Sequence, residues 1–227
     1  MLVFICQSLF AERVINLSTV RNSKIHELSS LVVKEAYKKA GIRLQIHVLP
    51  TENALYVANS GIVDGEISRE RNIRQQYSNL LRVPISVNFI SGVAFSRNPK
   101  LDIDGWSSLD PYRIGIIKGC DFAARGTRGM NVRIMDSNEK AFTALQKRKV
   151  DVVILPLVDG LQTLQEQNIE GVYVIRPSLA DIPLYHYIHS SQSHLIPKLT
   201  KILRKMKKSG RIKRIRQAYL AKLMMKL

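Results

Sequence analysis

Hydrophobic positions in this chain follow two alternating periods. Short runs of β-branched and apolar residues are separated by stretches in which apolar residues recur every three or four positions. Val14–Thr19 reads as a strand, and Leu28, Leu31, Val32 and Ala36 mark one face of a helix closed by Gly41. Leu44–Leu49 is a second strand stopped by Pro50; a short helix around Ala54–Asn59 ends at Gly61, and Val63–Ile67 is a third strand. Residues 82–96, RVPISVNFISGVAFS, form a long extended segment. The pattern then starts again. Strands are predicted at Arg113–Ile117, Val132–Met135, Val150–Leu155 and Val172–Ile175. Helices are predicted after Gly119, around Ala141, Phe142 and Leu145, and over Val158–Leu164. A second extended piece, Leu184–His189, precedes two helices whose apolar faces are Leu199, Ile202, Leu203 and Met206, and Ile212, Ile215, Tyr219 and Leu223.

Strands alternating with helices are the α/β signature. Two such sets joined by two extended segments predict two Rossmann-like lobes with a pair of hinge segments. Residues 12–87 and 184–227 make the first lobe and residues 88–183 the second. A ligand is expected in the cleft between them.

Composition narrows the classes. The 227 residues are 45% hydrophobic and 23% charged, too apolar for a disordered chain. Two cysteines, Cys6 and Cys120, rule out a disulfide scaffold, and no run approaches the ~20 apolar residues that span a bilayer. The net charge of +17 is concentrated at one end, because residues 198–227 hold 12 Lys and Arg and no acid. The expectation for this tail is a solvated basic face on helices docked by their apolar stripes; anionic lipid headgroups and nucleic acid are the alternatives. No aromatic residue interleaves with the basic cluster before Tyr219, which argues against a single-strand binding platform. At the other end, Met1–Ala11 is apolar and meets Glu12-Arg13 at once, which reads as the remnant of a secretory signal, or alternatively as a buried first strand.

Several segments carry a family likeness. AYKKAGIRLQIHVLP, ALYVANSGIVDGEISRERNI and NLLRVPISV resemble the type II periplasmic solute-binding proteins, with solute-binding protein family 3, the polar-amino-acid-like binders, as the most similar branch. RIGIIKGCDFA and FTALQKRKVDVVIL resemble the second lobe of that family. The resemblance covers roughly residues 12–225 and implies a monomeric periplasmic protein without enzymatic activity, cofactor or metal. Such a protein captures a small, anionic or amino-acid-like solute for an ABC permease or a membrane sensor.

The resemblance also implies site residues. The family's first-lobe arginine, which forks onto a ligand carboxylate, matches Arg71 by one count through Ile67-Ser68-Arg69-Glu70-Arg71. It matches Arg69 in the branch that carries Asp-Gly-Glu, here ending at Glu66. Guanidinium suits either assignment, with paired donors at carboxylate spacing; the alternative is a pair of solvent-facing charges beside Glu66 and Glu70. In the second lobe Lys118-Gly119-Cys120 matches a turn before a helix, where backbone N–H groups receive an anion. Cys120 replaces the usual hydroxyl residue. Pro156 stands where the family carries the acid for the ligand amine, Val20-Arg21-Asn22-Ser23 replaces an aromatic wall, and Asn53 replaces a frequent arginine.

Other chemistry finds little support. His186 and His189 would point to opposite faces of a strand, with no acid or cysteine to complete a metal set. Cys120 has no histidine nearby in its lobe to act as base, and Gly126–Gly129 lacks the ending of a phosphate loop. Two other functions share this fold. One is the effector-binding part of a transcriptional regulator, which calls for a helix-turn-helix upstream of the first strand, where none is expected in this sequence; the other is a small enzyme.

Overall fold

The computed structural model describes residues 14–224. The signal-remnant expectation for residues 1–11 lies outside the described residues. The first lobe opens with β1 (Ile15–Val20), α1 (Lys24–Ala40), β2 (Leu44–Leu49), α2 (Thr51–Asn59) and β3 (Gly65–Arg69). Helix α1 starts where the Ser23 hydroxyl accepts the His26 N–H, and stops at Gly41, whose φ of 68° is the left-handed conformation that suits glycine. A 17-residue strand, β4 (Leu80–Ser96), leads out of this lobe.

The second lobe repeats the scheme with β5 (Ile114–Ile117), α3 (Asp121–Gly126), β6 (Val132–Met135), α4 (Asn138–Gln146), β7 (Val152–Pro156) and α5 (Leu157–Glu166). Another 17-residue strand, β8 (Tyr173–His189), returns to the first lobe, where α6 (Ile196–Lys208) and α7 (Arg211–Met224) complete the described chain.

The strands form one sheet in the order β2-β1-β3-β8-β4-β7-β5-β6. Each half of that order is the same device. Strand β1 lies between parallel β2 and β3, and β5 between parallel β6 and β7; the next strand in each half runs antiparallel and comes from the far end of the other crossing segment. Strands β4 and β8 pair antiparallel from Leu80↔His189 to Ser96↔Tyr173 and so belong to both lobes.

The sequence pattern separates Val172–Ile175 from Leu184–His189, whereas the structure joins them into one strand. Pro177 and Pro183 remove two backbone donors and interrupt the local pattern. Pairing with β4 nevertheless carries the strand across, with a register shift between Gly92 and Ala94.

Each sheet half is packed on both faces. In the first lobe Leu17, Ile67, Val87 and Ile188 meet α1, α6 and α7 through Leu28, Val32, Leu199, Leu203 and Ile215. The opposite face holds Leu55, Ala58, Leu80, Tyr185 and Tyr187. In the second lobe Phe95 and Phe142 meet edge to face at 5.3 Å. The two basic helices thus dock by their apolar stripes, as their periodicity predicts. Among the described residues no helix is long and apolar enough to cross a membrane.

Candidate functional site

Two neighbouring cavities open where the lobes meet. The first, of about 340 Å³, is lined from the second lobe by Lys118, Gly119, Cys120, Phe122, Arg125 and Asp159, from the crossing strands by Ile90 and Ile182, and from the first lobe by Glu70. The second, of about 700 Å³, is lined by Arg69, Glu70, Arg71, Gln75, Pro183 and Tyr185. Glu70 and Ile182 border both, so the two form one cleft across the lobe junction.

The β3 end of this cleft is built from the inside out. Glu66 is fully buried, and burial raises its carboxyl pKa against the opposing pull of Arg69 and the Ser18 hydroxyl. Ser18 donates to Glu66 Oε2, and Arg69 Nε donates to Glu66 Oε1 at 3.1 Å. His26, in the first turn of α1, is held neutral with a pKa lowered to about 3, first by burial and then by the Arg69 charge. Arg71 lies on the exposed loop after β3. That loop is pinned by Tyr187, whose hydroxyl hydrogen-bonds the Glu70 and Arg71 carbonyls at 2.7 and 2.9 Å. The Tyr185 ring has the guanidinium groups of Arg82 and Arg71 at 4.7 and 5.9 Å from its centroid.

Of the residues singled out in the sequence, Arg69, Arg71, Lys118, Gly119 and Cys120 line the cleft. Glu66 and Ser68 are fully buried and line neither cavity. Their place is beneath the surface, where Glu66 orients Arg69. In the turn before α3 three of the backbone N–H groups are taken up within the lobe. The Cys120 N–H is spent on the Ile117 carbonyl at 3.0 Å, that of Asp121 on Gly119 at 3.1 Å, and that of Lys118 on Met135 at 2.9 Å. The Cys120 thiol is held protonated by burial and by the nearby carboxylates of Asp159 and Asp121.

The sequence reading missed an acid that the fold brings into the cleft. Asp159 lies one helical turn beyond Pro156, in the first turn of α5, and burial raises its pKa to about 6. Its position was legible as an acid opening a predicted helix directly after a strand. What periodicity could not supply was that this helix start faces the other lobe. His186 is likewise accounted for as a buried structural residue, between the Glu66 carbonyl at 2.8 Å and the Tyr37 hydroxyl at 3.0 Å. Among the described residues no group of three or more His, Cys, Asp or Glu is placed to hold a metal.

No protein-family model matches this chain. It is 26% identical over 197 residues to an uncharacterized protein of Shewanella oneidensis, covering 83% of this chain and 74% of that protein. Among solved structures it is similar to the GluR0 ligand-binding core in complex with L-glutamate, with a TM-score of 0.68 and 12% identity over 92% of this chain and 99% of that one. It is also similar to a histidine kinase sensor domain with similarity to periplasmic binding proteins, with a TM-score of 0.64 and 14% identity over 92% and 96% of the two chains. The chain therefore has the type II periplasmic-binding-protein fold.

Proposed function

We propose that this protein binds a small amino-acid-like solute in the inter-lobe cleft, without turnover, as the periplasmic component of an importer or a sensor. The observation that carries this reading is the cleft itself, whose walls come from both lobes and carry charge of both signs. Arginine at the β3 end suits a carboxylate. Asp159 suits the ammonium group, for which the sequence offers no acid at Pro156. A carboxylate held partly out of water is costly until a cation or donor joins it, so its burial is understandable as one half of a pair that the ligand completes. The two relatives of known structure support the same reading, one holding L-glutamate and the other serving as a sensor domain.

The test is a thermal-shift and calorimetric screen of α-amino acids, their decarboxylated amines and their deaminated acids. The zwitterions should stabilise the protein most, because only they satisfy both ends of the cleft. Equal stabilisation by acids lacking the amine would remove Asp159 from the site, and hydrolysis or conversion of any compound would replace binding with catalysis.

A further inference from the structure

Away from the cleft, the outer surface of the first lobe is dominated by one sign of charge. Helix α6 buries Leu199, Leu203 and Met206 and exposes Lys198, Lys201, Arg204, Lys205, Lys207 and Lys208 on the remaining arc. Helix α7 adds Arg211, Lys213, Arg214 and Lys222, all exposed, and no Asp or Glu occurs after Asp181 in the sequence. Docking two helices by their stripes needs no such density, since neutral polar residues would solvate those faces equally well.

Two cavities give this face relief. Between α1, α6 and α7 is a hollow of about 490 Å³ on which Lys39, Lys205, Arg211 and Arg214 converge around a single acid, Glu35. Arg211 is already committed to Glu35, with its Nη2 at 2.8 Å, and Lys39 stands 3.6 Å from the same carboxylate. Lys205 and Arg214 therefore bring charge that Glu35 does not balance. The second hollow, of about 520 Å³, lies beside α7, with apolar walls from Phe89, Ile212 and Leu220 and with Lys207 and Lys213 on its border.

We propose that this face docks on an anionic phospholipid surface. In this arrangement Lys205 and Arg214 receive headgroup phosphates, and the apolar hollow beside α7 accepts the upper part of an acyl chain. Charge complementarity selects an anionic partner, each cation near such a surface adding affinity that salt weakens. The apolar hollow between two lysines selects lipid over nucleic acid, which has no alkyl chain to place there. Exposed aromatic rings for base stacking are also missing between residues 198 and 214.

The proposal is tested by sedimenting the protein with vesicles of phosphatidylcholine alone or with about one-third phosphatidylglycerol. Binding should require the anionic lipid and fall at least tenfold between about 0.05 M and about 0.5 M salt. The double variant Lys205→Glu/Arg214→Glu changes two exposed side chains, gives up one exposed hydrogen bond from Arg214 to the Ser209 carbonyl, and should shift the melting temperature by no more than a few degrees, yet bind at least tenfold more weakly. A control of equal charge on the second lobe, Arg133→Glu/Lys147→Glu, should lose less than twofold. Equal loss in both variants would reduce the effect to net charge and overturn the site. No binding to anionic vesicles, tighter binding to a DNA duplex, or displacement by millimolar inorganic phosphate would overturn the lipid assignment. Neither variant touches the cleft, so solute binding is unaffected whichever way this experiment falls.

Discussion

Arg216 ties the last helix to the strands that cross between the lobes, and its removal should loosen the whole molecule. The side chain is 8% exposed, with Nη1 donating to Asn88 Oδ1 at 2.7 Å and to the Phe89 carbonyl at 2.8 Å. Its guanidinium lies 3.8 Å from the Phe89 ring centroid, and Nη2 reaches Ser91 Oγ at 3.4 Å. Ser91 in turn donates to Asp181 on β8 at 2.7 Å, so one arginine reaches both crossing strands. Burial lowers the arginine pKa to about 10, which leaves it charged at neutral pH.

In Arg216→Ala, two short charge-assisted hydrogen bonds of about 1.5–3 kcal/mol each are lost, together with about 1 kcal/mol of ring stacking. Part of this is offset because the cost of burying the guanidinium disappears as well. The expected net loss is about 3 kcal/mol, or roughly 6–12 °C in melting temperature for a chain of this size. Urea denaturation of the wild type, Arg216→Ala, Asn88→Ala and the double variant measures both the loss and the coupling, which should be about 1.5 kcal/mol or more. A loss below about 1 kcal/mol, or strict additivity in the double variant, would show that the arginine is a bystander at the hinge.

Four further outcomes are expected. With a folded-state pKa of about 6, Asp159 loses its charge as the pH falls, so affinity for a zwitterion should drop about tenfold between about pH 7 and about pH 5, and Asp159→Asn should abolish that dependence. Because its folded pKa is raised from 3.8, the stability that the protonated Asp159 contributes is lost as the pH climbs from about 4 to about 6, and the same variant should stabilise the empty protein at neutral pH by about 3 kcal/mol in urea denaturation. Arg69→Ala strips an ion-pair partner from buried Glu66 and should cost about 3 kcal/mol in urea denaturation, against about 0.5 kcal/mol for exposed Arg71→Ala; equal costs would contradict the supporting role of the Glu66–Arg69 pair. Gly65→Ala would drive a β-carbon into the Tyr187 carbonyl of the neighbouring strand and should cost at least about 2 kcal/mol in the same assay.

The element order was legible because its causes are local. The stripe of α1, its Gly41 stop, and the apolar faces of α6 and α7 each follow from side-chain period and backbone preference within a few residues. Arg69, Arg71 and the Lys118–Cys120 turn were picked out through the resemblance to the solute-binding proteins, and all of them line the cleft. What the sequence could not decide depends on contacts between residues far apart in the chain. Arg69 is held by a glutamate whose other oxygen meets Ser18 on a neighbouring strand. Arg216 reaches Asn88 across 128 positions. Asp159 becomes a cleft residue only because α5 starts at the lobe junction, and β8 continues past Pro183 because β4 pairs alongside it, the pairing lapsing at the bulge around Pro177 and resuming at Ile175. Local periodicity records which face of an element is apolar; which polar groups are then forced together, and how far from water, is decided by the packing of the sheet, the helices and the two lobes.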